Sequence, residues 1–430
     1  MSILLNVLYF LALLFVSPLV LWKSFRHGRY RRGWMGRLLG AGYCPPQSNA
    51  WVWLHAVSVG EVQVLRTLVE TLAAKRPDLQ IAISVSTDSG MDLAKKLYPK
   101  HYIFFTPLDF SWAIRRVLRR LRPQLIVLAE LELWPNWLLQ AERAGCPVAI
   151  INGRLSESSF NGYSRIPFLV RKCMQTIDWV GAQSEPIAER FERLGLPQKR
   201  LTVTGNVKFD GATGDRHEAE VILRKELLGL ATGHTVLLAG STQAPEESLV
   251  LNAFLKLADR FPNLKLILVP RHVERFEEVA KTIEGSGMPW ARRSESLTNV
   301  TDLNWRVFLG DSVGELRWWW GLADVGFVGG SFGDRGGQNM IEPCAYGVAT
   351  CFGPNTKNFS DIVTLLLEAN ACSQLRTPEE LHPWIESMLL DPKKRESMAS
   401  RAIHVCQKHR GASQRSWENL QRFLPAERLE

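Results

Sequence analysis

The strongest constraint in this chain is a rhythm that runs twice. Short apolar runs alternate with longer amphipathic stretches, first over Trp51–Val57, Val62–Ala74, Ile81–Val85, Ser89–Leu97, Leu125–Ala129, Val148–Asn152 and Trp179–Ala182. It restarts at Thr235–Gly240 and continues through Glu246–Arg260, Leu264–Pro270 and Val325–Gly330. Strands that alternate with helices mean βαβ units, and such units pair their strands in parallel. A chain of 430 residues is also too long for one ordinary core. The expected fold is therefore α/β, with two doubly wound, Rossmann-like domains at 50–208 and 234–411 around an interdomain cleft. Polar, glycine-containing Phe209–Gly233 reads as the linker, and 412–430 as a C-terminal helix and tail that packs back across the first domain. Ligands in such folds bind at the carboxyl ends of the strands.

Before the first repeat, Ile3 to Trp22 is almost continuously apolar, interrupted by Asn6, Ser17 and Pro18. About 20 residues at 1.5 Å each just span a hydrocarbon core. Positive charge follows this run at Lys23, Arg26, Arg29, Arg31, Arg32 and Arg37, where a secretory signal would carry it in front. Residues 1–22 are read as a membrane anchor and 23–49 as a basic juxtamembrane segment, with the remainder in the cytoplasm. Pro18 leaves a helix lying in the interface as the alternative. Much of the net charge of +9 sits in this collar, which points to a membrane surface and not to nucleic acid. The seven cysteines are scattered without a C-x-x-C or C-x-x-H pair, so they read as buried thiols, not as a zinc site.

Five segments carry candidate chemistry. In His55-Ala56-Val57-Ser58-Val59-Gly60-Glu61 a strand turns into a helix, and Glu61 can be a general base or the acidic half of a capping box with Ser58. Glu130-Leu131-Glu132-Leu133-Trp134-Pro135-Asn136 follows an apolar strand; if that strand continues, Glu130 and Glu132 face one side. A structural salt bridge is the alternative for either. Lys208, in Thr204–Asp210, stands at the end of the first domain, as a charge for a phosphate or as a solvated lysine. Pro270, Arg271 and His272 end a strand in the second half, where an arginine can fork onto a phosphate. Finally, Gly329–Glu342 runs from a strand through a glycine-rich loop into a helix, whose free N–H groups suit a phosphate and whose Glu342 suits a ribose. No Walker G-K-[ST] exists in the chain.

Taken in order, HAVSVGE, ELELWPN, INGRLS, TVTGNVKFD, LVPRHVERF, GDSVGEL and GGSFGDRGGQNMIEP resemble the 3-deoxy-D-manno-octulosonic acid (Kdo) transferases of lipopolysaccharide synthesis, from the apolar N-terminus to about residue 410. The resemblance implies a GT-B fold and an inverting, metal-independent transfer of Kdo from CMP-Kdo to the 6′-hydroxyl of a lipid A precursor (lipid IVA). No cofactor is implied, and the place is the inner membrane. By motif, Glu61 is then the general base, and Glu130 and Lys208 are transition-state stabilisers. Pro270, Arg271, Val313, Gly314, Glu315, Asn339, Met340, Ile341 and Glu342 form the CMP pocket. Gln243 and Gln338 depart from the histidines expected of many and of some relatives, respectively. A transferase or epimerase using a UDP-sugar, and an inactive membrane scaffold, are the competing readings.

Overall fold

The computed structural model describes residues 1–27, 32–40, 50–211, 214–295 and 304–426, without the side chains of residues 16, 18–21 and 23–27. The chain forms two compact units, one from Met1–Asp210 with His409–Glu430 and one from Gly211–Lys408. The first holds a seven-stranded sheet of β1 (Trp51–Ala56), β2 (Gln80–Val85), β3 (Tyr102–Phe105), β4 (Pro123–Leu128), β5 (Val148–Gly153), β6 (Trp179–Ala182) and β7 (Leu201–Val203). Their order is β3-β2-β1-β4-β5-β6-β7, and every pairing is parallel. The second sheet contains β8 (Thr235–Thr242), β9 (Leu264–Pro270), β10 (Trp290–Arg292), β11 (Val307–Leu309), β12 (Val325–Val328), β13 (Ala349–Phe352) and β14 (Cys372–Gln374). It runs β10-β11-β9-β8-β12-β13-β14, again all parallel.

Both units are thus Rossmann-like, as the doubled rhythm predicts. Strands such as β1, β8 and β9 are buried along almost their whole length because helices cover both faces. Strand order reverses between β1 and β4 in one sheet and between β8 and β12 in the other. Those switch points open crevices at the carboxyl ends. The strands the rhythm did not single out, β3, β7, β10, β11, β13 and β14, are only three or four residues long. Such runs are too short to stand out from their surroundings by period.

The membrane-spanning anchor expected over residues 1–22 is not found. Among the described residues no helix is long and apolar enough to cross a membrane. The segment does form a helix, α1 (Ser2–His27), which lies against α5 (Ser111–Leu121) and α6 (Pro135–Arg143) of the first unit; α2 (Trp34–Leu39), α3 (Val59–Lys75) and α4 (Asp88–Leu97) come between in the chain. The polar residues that interrupt its hydropathy fasten it there. Asn6 accepts from the Ser111 amide at 3.0 Å and from Asn136 Nδ2 at 3.1 Å, and donates to Ser111 Oγ at 2.8 Å. Tyr9 hydrogen-bonds Asp109, and Leu5 is buried. One side of the helix is thus occupied by protein. Of the basic collar, Arg29, Arg31 and the side chains of Lys23 and Arg26 lie outside the described residues. Arg32 pairs with Asp92 at 2.8 Å, and Arg37 stacks on Phe105.

The helix Ala412–Leu420 belongs to the first unit. Asp210 accepts from the Gly411, Ala412 and Ser413 amides at 2.7–3.0 Å, capping that helix from a distant stretch of chain. Its Ala412, Trp417 and Leu420 then join the core beneath β1 and α3. The Trp318-Trp319-Trp320 run is packing: Trp319 and Trp320 are buried, and Arg224 lies over Trp318 and Trp319 at 4.5 and 5.3 Å. The six described cysteines, Cys146, Cys173, Cys344, Cys351, Cys372 and Cys406, are buried free thiols, as expected; Cys44 lies outside the described residues.

Candidate active site

In the first unit the candidate residues gather at the β1/β4 switch point. Ser58 is the N-cap of α3, and its hydroxyl both accepts from the Glu61 amide (3.4 Å) and donates to Glu61 Oε1 (2.9 Å). Glu61 Oε2 accepts from the Val57 amide at 2.8 Å. The capping box is therefore formed. Yet Glu61 as a residue is only 9% exposed, and burial pushes its pKa up against the hydrogen bonds from Val57 and Ser58. Capping and basicity coexist in one side chain.

β4 stops at Leu128, so Glu130 and Glu132 sit on a loop and not on a continuing strand. Glu132 is pushed up to about 7, first by burial and then by the charges of Glu61 and Glu130, with a Trp134 hydrogen bond opposing. The three carboxylates are consequently one electrostatic group, in which Glu132 holds its proton up to about 7. Glu132 belongs to the site, and its acidic i, i+2 pairing with Glu130 was the signal for it.

Asn152, which sequence reasoning passed over, ties this group together. It is fully buried with φ +52°, a left-handed conformation that asparagine tolerates better than most residues. Its Nδ2 reaches Glu130 Oε1 at 3.5 Å, and its Oδ1 accepts from the Val207 amide at 3.1 Å. Val207 opens the short 3₁₀ turn that carries Lys208. One amide side chain thus positions both proposed stabilisers. His55, at the end of β1, is fully buried and pushed down to about 3 by desolvation. It stays neutral and serves the core.

In the second unit the loops after β8 and β12 meet at the other switch point. Buried Glu246 joins them: Oε2 accepts from the Gln243 and Gly330 amides at 2.9 and 2.7 Å, and Oε1 from those of Ser331 and Phe332 at 2.9 and 3.0 Å. The amides of Gly330, Ser331 and Phe332, at the start of the glycine-rich loop, are therefore taken by a carboxylate. Sequence reasoning missed Glu246, which reads simply as an acidic residue in a helix's first turn.

Further along, Asn339 Nδ2 donates to Glu342 Oε1 at 2.9 Å and Asn339 Oδ1 accepts from the Ile341 amide at 3.0 Å. Burial pushes the Glu342 carboxyl up, opposed by Asn339 and by the charges of Arg317 and Arg271. Arg271, leaving β9, is thereby placed within electrostatic reach of Glu342. Pro270 ends β9 and is buried, as are Met340 and Ile341, while Val313 is open to solvent and Gly314 has φ +86°. Glu315 is occupied differently. Although burial pushes it up, hydrogen bonds from Arg293 and Ser312 and the charges of Arg224 and Arg293 prevail and hold it below the usual carboxylate range.

The tetrapeptide Ser-Val-Gly-Glu occurs at both 58–61 and 312–315, and in each copy the serine hydroxyl donates to the glutamate, at 2.9 and 2.7 Å. The surroundings differ. Burial makes Glu61 more basic, whereas Glu315, also part-buried, is held by Arg293, Ser312 and the charge of Arg224 and is made less so.

The family model for 3-deoxy-D-manno-octulosonic-acid transferase (kdotransferase) matches residues 27–211. The 3-deoxy-D-manno-octulosonic acid transferase of Haemophilus influenzae is 33% identical over 424 residues, 96% of this chain and 97% of its own length. The chain belongs to the Kdo transferase family. The Kdo transferase of Bordetella pertussis is 32% identical over 431 residues, 97% of this chain and 99% of that one. Among solved structures, UDP-GlcNAc 2-epimerase from Neisseria meningitidis matches with TM-score 0.51 at 16% identity, covering 86% of this chain and all of its own, a likeness of fold alone. Within this Kdo transferase, the departures Gln243 and Gln338 meet at one spot. Their Nε2 atoms lie 3.3 and 3.2 Å from where a Cβ on Gly330 would stand.

Proposed function

We propose that this Kdo transferase moves Kdo from CMP-Kdo to the 6′-hydroxyl of lipid IVA, with inversion and without a metal. The 6′-oxygen attacks the anomeric carbon as its proton passes to Glu61, and the bond to the phosphate of CMP breaks with its electron pair on the leaving group. Glu130 and Lys208 stabilise the transition state. Arg271 and Lys208 supply cationic charge to the departing phosphate. Pro270, Val313 to Glu315 and Asn339 to Glu342 hold CMP, with Glu342 on the ribose. Because the acceptor is a lipid, the enzyme works at the cytoplasmic face of the inner membrane.

The observation that carries this reading is Glu61, a buried carboxylate made more basic at the carboxyl end of a central strand. Its capping geometry gives the test a second arm. Transfer from CMP-Kdo to tetra-acylated precursor is followed by product mass in wild type, Glu61→Gln and Ser58→Ala. A base predicts a loss of about 10²–10⁴ for Glu61→Gln. Ser58→Ala, which weakens the cap but keeps the carboxylate, should stay within about tenfold of wild type, the ordinary scale of a lost cap. Equal, small losses in the two variants would make Glu61 a helix cap and nothing more. Silence of the wild type with CMP-Kdo would overturn the substrate.

A further inference from the structure

A cavity of ≈ 710 Å³ opens in the first unit where α5 and α6 end and β4 begins, lined by Arg115, Arg119, Arg122 and Arg143 around Gln140. Pro123 and Gln124, the first residues of β4, form part of its wall. Glu130 lies beyond the other end of that strand, roughly 20 Å away at about 3.3 Å per residue. The cavity therefore stands at the opposite edge of the sheet from the candidate active site.

Among the described residues none of the four guanidinium groups is paired with a carboxylate. Arg115 Nε donates to Gln140 Oε1 at 3.3 Å, Arg119 Nε to the Arg115 carbonyl at 3.4 Å and Arg143 Nη1 to Ser2 Oγ at 3.4 Å. A bland account exists: cations suit helix C-termini, and both α5 and α6 end here. Two C-termini bring only about half a negative charge each, together about one against four positive charges. Most of the charge is thus unanswered by the protein. Arginine forks match phosphate oxygens in geometry as well as sign.

The rim shows where such a phosphate comes from. Ser2, the first residue of α1, is held by Gln140 and Arg143. From it α1 carries an unpartnered apolar face, with Ile3 80% and Phe15 88% exposed and Leu4, Val7, Leu8 and Leu11 open between them. An exposed apolar face of this length is a surface that lipid acyl chains can cover. Apolar face and basic cavity adjoin, as acyl chain and headgroup do in a lipid.

We propose that the cavity formed by Arg115, Arg119, Arg122 and Arg143 binds the phosphate headgroup of an anionic membrane phospholipid whose chains lie along the exposed face of α1. The site is distinct from the catalytic one and does not depend on the proposed reaction.

Full-length protein in a neutral detergent is titrated calorimetrically with dihexanoyl-phosphatidylglycerol and separately with inorganic phosphate. Wild type should bind the lipid, and Arg115→Gln/Arg119→Gln/Arg143→Gln should weaken it at least about tenfold, the scale of one lost charge-assisted hydrogen bond. Lys95→Gln/Lys96→Gln/Lys100→Gln removes equal charge from exposed positions elsewhere and should leave binding as in wild type. Arg143→Gln alone, at an exposed helix end, covers the case in which the triple variant does not fold. Equal weakening by the arginine and lysine triples, or no lipid binding at all, would overturn the site. Inorganic phosphate binding as tightly as the lipid and displacing it would overturn the lipid as its occupant.

Discussion

Glu246 offers a sharp test of how the second unit is held together. Its carboxylate accepts four backbone N–H groups drawn from the loops after β8 and β12, and it is 1% exposed. Glu246→Ala orphans all four. The Gly330 and Ser331 bonds are fully buried, and an unsatisfied buried donor costs about 1–3 kcal/mol, so those two alone cost about 2–6 kcal/mol. The amides of Gln243 and Phe332 are in part-buried bonds and can turn to water, adding less. Against a domain stability of about 5–15 kcal/mol this is severe. Glu246→Gln is a poor remedy despite its shape. Whichever way its amide is turned, one oxygen becomes an NH₂ that confronts two N–H donors. Urea unfolding of the purified full-length variants measures the cost, and hydrogen exchange at residues 329–333 localises it. A loss under about 1 kcal/mol with unchanged protection of Gly330 and Ser331 would refute the reasoning, since even one orphaned buried amide should exceed it.

Three further variants have outcomes that follow from the geometry. Glu132→Gln fixes the neutral form that Glu132, with its pKa near 7, already holds across the ordinary carboxylate range, so the acid limb of kcat/KM should stay in place; a limb moved to lower pH would mean that Glu132 is charged while Glu61 titrates. The same variant tests linkage. With its folded pKa raised from 4.5 to about 7, the stability Glu132 contributes is full below 4.5 and lost as pH rises through 7, so melts of Glu132→Gln should lack that fall. Asn152→Ala should lower kcat more than it raises KM, and cost about 1–3 kcal/mol by thermal melt, because φ +52° and two positioning bonds are lost together. Gly240→Ala would set a methyl 2.5 Å from Trp320 Cζ2 and should cost about 1–3 kcal/mol, read by the same melt.

What could be read in the linear sequence was whatever recurs locally. The strands around Glu61, Glu130 and Arg271 announce themselves by apolar runs, and residues at their ends reach the crevice by the geometry of a parallel sheet. Glu246 could not be read in this way, because the amides it serves beyond its own turn lie 84 to 86 residues away. Asn152 hid inside an apolar run, where its left-handed turn has no local signature. The basicity of Glu132 depends on burial, which exists only once the chain has folded. At the N-terminus, hydropathy and length implied a span, while Asn6 is answered by Ser111 and Asn136, 105 and 130 residues downstream.

The tethering of Asp210 to residues 411–413 also dictates an order of assembly on the ribosome. The second unit is one unbroken stretch of chain, but the first is closed only by its last helix. Asp210 and Gly411 are 201 residues apart, so at about 5–20 residues per second the early unit waits on the order of 10–40 s for its final piece. Throughout that interval the core against which Ala412, Trp417 and Leu420 pack is uncovered. The half of the enzyme that is made first is therefore finished last.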